Sequence, residues 1–155
     1  MIGMKIGMAQ LGPTTGDLEA NAEEVVRAIR MARERHCDLL VTPETCITGY
    51  MSCDLLEVDA YVRDNRRLLV QRIVPATEGI SAVVGFVDFE EEDGRVARRY
   101  NAAALIQNGE LLQVAHKRCL CRYRFFDETR YYEPGKETIV QPLELGGRTL
   151  RVAPI

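Results

Sequence analysis

Asp38-Leu39-Leu40-Val41-Thr42-Pro43-Glu44 is the stretch on which the fold turns. Leu39–Val41 is apolar, too short for a helix and closed by Thr42-Pro43, so it reads as a buried strand. Upstream, Met4–Ala9 is a second short apolar run, followed by Gly12-Pro13. Between the two, Asp17 is a good N-cap. Leu18, Ala22, Val25, Ile29 and Ala32 then recur on one helical face, with Glu23, Glu24, Arg27 and Arg30 largely off it. This helix should end near His36. A strand, a crossover helix and a strand make a βαβ unit with parallel strands. The fold class is therefore α/β, and the loops at the C-terminal ends of the strands are the places for ligands.

Downstream of Glu44 the pattern predicts a second helix from about Val58 to Ile73, with Val62, Leu69 and Ile73 inward and Pro75 stopping it. Ala82–Val87 is the next buried strand. Asp93-Gly94, Asn108-Gly109 and Gly146-Gly147 are favoured two-residue turns. Their flanking strands are Arg95–Ile106, Glu110–Ala115, Thr138–Leu143 and Arg148–Val152. Residues 117–136 read as an irregular, basic and aromatic loop. No repeat, low-complexity tract or linker divides residues 1–155. The chain stops at Pro154-Ile155, directly after a core-like strand, so a longer domain cut at this point is expected.

Composition excludes several classes. The 155 residues are 46% apolar and 28% charged, which is ordinary for a globular domain. Twenty basic against 23 acidic residues leave a net charge of −3, which disfavours a dedicated nucleic-acid binder. No apolar run approaches the roughly 20 residues that span a bilayer, so no membrane partner is expected. Five cysteines, an odd count without a secretion signal, point to a reducing, cytoplasmic setting. Cys119-x-Cys121 is tighter than the usual zinc spacing and Cys46 to Cys53 is too loose, so no metal site is expected.

Three residues carry candidate chemistry. Glu44 follows a buried strand directly; held there and partly desolvated, it would have a raised pKa and suit a general base. A solvated loop glutamate is the bland alternative. Lys117 ends a strand and opens the basic aromatic loop, where an ammonium beside a carboxylate could stabilise an oxyanion or a thiolate. Glu128 is either a second site carboxylate or a salt-bridge partner for a neighbouring arginine. None of the cysteines combines a sharp elbow with an evident base, so each reads as filler or bystander.

Four motifs in order resemble the nitrilase superfamily of carbon–nitrogen hydrolases. They are Met4–Leu11 with Gly16-Asp17 and Asn21; Asp38–Glu44 with Thr48-Gly49-Tyr50; Tyr100–Ile106 with His116-Lys117; and Tyr123–Gly135. The last is similar to the glutaminase domain of glutamine-dependent NAD synthetases. The resemblance implies the N-terminal part of a four-layer α-β-β-α sandwich, here truncated, that hydrolyses the side-chain amide of glutamine or another small amide. It implies Glu44 as general base, Lys117 as the cation for the tetrahedral intermediate, Glu128 as supporting glutamate and Tyr123 as a glutamine-holding residue. The family's nucleophilic cysteine follows a strand that aligns with Leu150–Ile155, so no nucleophile is expected within these residues, and Cys121 stands where a Leu-Pro pair is common. No cofactor is implied for the glutaminase step; ATP and deamido-NAD belong to a synthetase domain that this chain does not contain. A homo-oligomer is expected. A free-standing amidase, or a non-catalytic paralogue acting as a binding module, remain the alternatives.

Overall fold

The computed structural model describes residues 3–50, 52–136, 141–145 and 148–152. Its centre is a five-stranded sheet made of β1 (Ile6–Met8), β2 (Leu39–Val41), β3 (Ser81–Glu92), β4 (Arg95–Gln107) and β5 (Glu110–His116), in that spatial order. β1, β2 and β3 run parallel, whereas β4 and β5 return antiparallel. The first strand is shorter than expected, and β3 and β4 are longer, forming a hairpin that ends in acidic residues.

The parallel half follows from the crossover helix. α1 (Leu18–Glu34) is capped by Asp17, whose side chain accepts the Ala20 N–H. Leu18, Ala22, Val25, Ile29 and Ala32 are all buried, as the spacing requires. The antiparallel half follows from two tight turns. Asp93 and Gly94 have φ 51° and 77°, and Asn108 and Gly109 have φ 49° and 80°. Such paired left-handed residues match the twist of a two-residue hairpin. The turn expected at Gly146-Gly147 lies outside the described residues.

α2 (Asp59–Leu68) packs beside α1 on the same sheet face. Val62, Leu69 and Ile73 are buried, but Pro75 does not stop the helix. The backbone widens into a π turn over Leu69–Ile73, where Val74 N–H bonds Leu69 O, and a last helical turn covers Val74–Ala76. A proline lacks an N–H and crowds the carbonyl four residues back; a widened turn relieves both conflicts. The core between helices and sheet includes Val25, Ile29, Leu68, Leu69, Ile73, Val84, Phe86 and Ile106. Burying each large side chain contributes about 1.5–3 kcal/mol.

The other sheet face is treated differently. A hairpin of β8 (Gln141–Leu145) and β9 (Arg148–Val152) sets Leu143 and Leu145 against Leu105, Leu39 and Val83. The strand expected over Thr138–Leu143 thus starts, within the described residues, at Gln141. Between β5 and β8 the loop is less irregular than expected. It contains a small hairpin, β6 (Arg122–Tyr123) with β7 (Phe126–Asp127), and a 3-10 turn over Glu128–Arg130.

Candidate active site

Glu44 leaves the C-terminal end of β2 in a loop that the neighbouring strand holds tightly. Thr42 N–H donates to Val83 O at 3.0 Å and Cys46 N–H to Gly85 O at 3.0 Å, while Gly85 N–H donates to Thr42 Oγ1 at 3.1 Å. Only glycine fits at position 85. A Cβ there would meet Pro43 O at 2.3 Å and Glu44 Cα at 2.9 Å. Thr45 adopts φ 44°, a left-handed conformation that costs a β-branched residue roughly 1–2 kcal/mol. The bonds to Val83 and Gly85 offset that cost and fix the direction of Glu44.

Lys117 follows β5. Its N–H donates to Asn101 O at 2.8 Å and its carbonyl accepts Gly135 N–H at 2.9 Å. A Cβ on Gly135 would meet His116 O at 2.4 Å, so a second glycine permits this close pass. The Lys117 ammonium then stands 2.7 Å from Glu44 Oε1 and 3.0 Å from Glu128 Oε1. Glu44, Lys117 and Glu128, separate candidates in the sequence, thus meet at one point.

Their environments differ. Glu128 is buried, at 5% side-chain exposure, against 26% for Lys117 and 41% for Glu44. Glu44 is thus more open to solvent than the partial desolvation supposed from the sequence. Burial pushes the Glu128 carboxyl up, but the Cys121 N–H at 2.6 Å, Lys117 and the Tyr50 hydroxyl at 3.1 Å outweigh it, so its pKa lies below the ordinary value. Burial pulls the Lys117 ammonium down, yet the two carboxylates prevail and its pKa lies above the ordinary lysine value. Tyr50 is pushed up to about 12 by burial and by Glu128 beside it.

Two residues of the site escaped the sequence reading of roles. Asn101, buried in β4, donates from Nδ2 to Glu44 Oε1 at 2.7 Å and to Glu128 Oε1 at 3.4 Å. Tyr50 closes the ring of donors around Glu128. The available signal for Asn101 was an amide placed ahead of the apolar run Ala102–Ile106. For Tyr50 it was only its place after Gly49.

Beside the triad lies a hollow of about 320 Å³ floored by Val83, Gly85, Ala103 and Ala115, with Glu44, Asn101 and Lys117 at one end. Pockets for small ligands start near this size. Tyr123 lines neither this hollow nor the aromatic one formed by Tyr50, Phe126, Tyr131 and Tyr132. It is 60% exposed, with its ring 5.3 Å from Phe126. Cys46 is sealed: its Sγ lies 3.2 Å from both Gly85 O and Thr42 Oγ1, and burial pushes its thiol up to about 11. Cys53 and Cys119 are exposed, and Cys37 and Cys121 half-buried. Among the described residues no cysteine thiol bonds to Glu44, Lys117 or Glu128, and no group of three His, Cys, Asp or Glu is placed to hold a metal ion.

Comparison with known proteins gives a consistent picture. The model of the carbon-nitrogen hydrolase family matches residues 5–152. The glutamine-dependent NAD(+) synthetase of Thermotoga maritima is 40% identical over 139 residues, which is 88% of this chain and 23% of that protein. The synthetase of Acinetobacter baylyi is 34% identical over 90% of this chain and 25% of its own length. The solved synthetase of Acinetobacter baumannii, in complex with ADP, superposes with a TM-score of 0.83 at 30% identity, covering 97% of this chain and 27% of that one. An amidase from Nesterenkonia shares the fold with a TM-score of 0.78 at 24% identity, over 96% of this chain and 54% of its own. The chain spans about a quarter of the length of the curated relatives it matches.

Proposed function

The chain belongs to the carbon–nitrogen hydrolase family, and from that premise we propose that it supplies the base, the cation and the second carboxylate of a thiol-dependent amide hydrolase acting on glutamine. The observation that carries this reading is the convergence of Glu44 and Glu128 on one ammonium, Lys117. In the proposed step a thiol loses its proton to Glu44 as its sulfur bonds to the amide carbon. Lys117, kept charged by two carboxylates, stabilises the oxyanion. The proton then passes to the departing nitrogen as the C–N bond breaks, releasing ammonia and leaving a thioester for water to cleave. Glu128 stays ionised and fixes Lys117. The family resemblance gives Tyr123 a part in holding the substrate, but its exposed ring lines neither hollow, so the geometry lends that role no support.

Identity favours the synthetase reading over a free-standing amidase, because it is 40% to a synthetase and at most 25% to the solved amidase. In that reading the ammonia is destined for deamido-NAD in an ATP-using synthetase domain, and the glutaminase step itself needs no cofactor. The protein works in the cytoplasm as a homo-oligomer. Supporting an oligomer is the apolar edge of the sheet, where Met8 is 86% exposed and Ile6 and Met4 are also open. Among the described residues no helix is long and apolar enough to cross a membrane.

The test combines binding and turnover on the 155-residue chain. Glutamine at millimolar concentration should move the side-chain ¹⁵N signal of Lys117, and should not do so in the Lys117→Met chain, where no such signal exists to confuse with other lysines. Ammonia release is expected to be absent, since among the described residues no cysteine thiol bonds to a member of the triad. Turnover that persists after all five cysteines become serine would overturn the thiol mechanism. A folded chain whose Lys117 signal ignores glutamine would overturn the assignment of the site.

A further inference from the structure

Resting on the reading of Glu44 as the base, we infer that Asn101 is a positioning residue that engages one oxygen of Glu44 and leaves the other turned out to take the proton.

Asn101 stands in β4 directly ahead of Ala102, Ala103, Ala104, Leu105 and Ile106. Asparagine is depleted in strands, and a buried amide is costly unless its polar atoms are bonded. Here Asn101 is 3% exposed, and its groups reach all three members of the triad. Nδ2 donates to Glu44 Oε1 at 2.7 Å and reaches Glu128 Oε1 at 3.4 Å, while the backbone oxygen accepts the Lys117 N–H at 2.8 Å. Glu44 Oε1 therefore receives two donors, the Asn101 amide and the Lys117 ammonium at 2.7 Å. Two donors match the two lone pairs of one carboxylate oxygen. Oε2 accepts nothing from the described residues, so it is the oxygen with capacity for a proton.

Lys117 donates to the same oxygen, but with less direction. An ammonium on a flexible stem is close to a rotating point charge, with no preferred direction. The planar amide of Asn101, fixed on a central strand, has a set direction. It is also neutral, so it adds a donor between two carboxylates without adding charge. The division of labour is that Lys117 supplies charge and Asn101 supplies orientation.

The experiment measures side-chain order of Glu44 by ¹³C relaxation in the full 155-residue chain. In the native sequence the terminal methylene of Glu44 should approach the order of rigid backbone, about 0.85. Asn101→Ala should lower it to below about 0.6, in the flexible range, with the strand amide signals unchanged. Lys117→Met should lower it less. Asn101→Thr, whose hydroxyl is too short to reach Glu44 and which suits a strand, provides a second variant if the alanine chain does not fold. Unchanged Glu44 order in either folded variant, or a larger loss in Lys117→Met, would overturn the inference. No turnover is needed for this readout. A chain whose Lys117 signal ignores glutamine but whose Glu44 loses order on substitution would sink the hydrolase reading and leave the positioning role standing.

Discussion

The Lys117 ammonium lies 2.7 Å from Glu44 Oε1, although 73 residues separate them along the chain. The contact is made by the C-terminal ends of β2 and β5, which run the same way and so finish at the same end of one sheet. It also places a second, buried carboxylate, Glu128, 3.0 Å from the same nitrogen. Four expectations come from this arrangement and from the packing around it.

Removing the cation should cost more than a surface ion pair would. Lys117→Met leaves Glu128 buried without its main counter-charge, though Cys121 N–H and Tyr50 still bond it. A loss on the order of 2 kcal/mol is expected, below the full penalty of a sealed pair because Lys117 is partly solvated. Lys117→Met, Glu128→Gln should recover part of that loss. Urea midpoints of the single and double variants check both figures.

The same triad sets a pH window. Glu128 has a folded pKa below its ordinary 4.5, so its contribution is present above that value and is lost as pH falls through the folded pKa. Lys117 has a folded pKa above its ordinary 10.5, so its contribution is present below 10.5 and is lost as pH rises through the folded pKa. Stability should be flat near neutrality and fall at both extremes. Glu128→Gln should flatten the acid limb. Denaturation midpoints measured from pH 3 to pH 11, with an acid limb unchanged in that variant, would contradict the assignment.

Gly85→Ala should damage the site from the neighbouring strand. The new Cβ would overlap Pro43 O, a backbone atom that has no side-chain freedom to move. Overpacking of this kind costs about 1–3 kcal/mol, and the only relief is displacement of the Glu44 loop. The Lys117 side-chain signal should shift in the variant, and its melting temperature should drop.

Thiol reactivity should follow burial rather than nearness to Glu44 in sequence. Cys46, two residues from Glu44, has its thiol pushed up to about 11 and is sealed. Cys53 and Cys119 are exposed. Alkylation of the native protein at pH 8, followed by peptide mass spectrometry, should find Cys53 and Cys119 modified and Cys46 untouched. Rapid labelling of Cys46 in the folded chain would show that the loop opens.

Much of the fold was written in local pattern. The spacing of Leu18, Ala22, Val25, Ile29 and Ala32 determined α1 and its buried face, because a helix repeats every 3.6 residues whatever surrounds it. Asp93-Gly94 and Asn108-Gly109 determined two hairpins, since few residues accept left-handed conformations in succession. The motifs around Glu44, Lys117 and Glu128 were likewise legible, because each ends or follows a recognisable strand or loop. What local pattern could not decide was contact. Pro75 reads as a stop, yet packing of Leu69 and Ile73 into the core carried the helix on through a widened turn. Asn101 reads as one polar residue in an apolar strand, and only the pairing of β3, β4 and β5 sets it between two carboxylates and a lysine. Gly85 reads as one more residue of the buried strand Ala82–Val87, and only the approach of Pro43 shows why no side chain fits there. The sequence determined the elements by short-range stereochemistry. The tertiary structure decided the site, because its members come from strands and loops far apart in the chain, whose meeting depends on sheet order and on the free space left by two glycines.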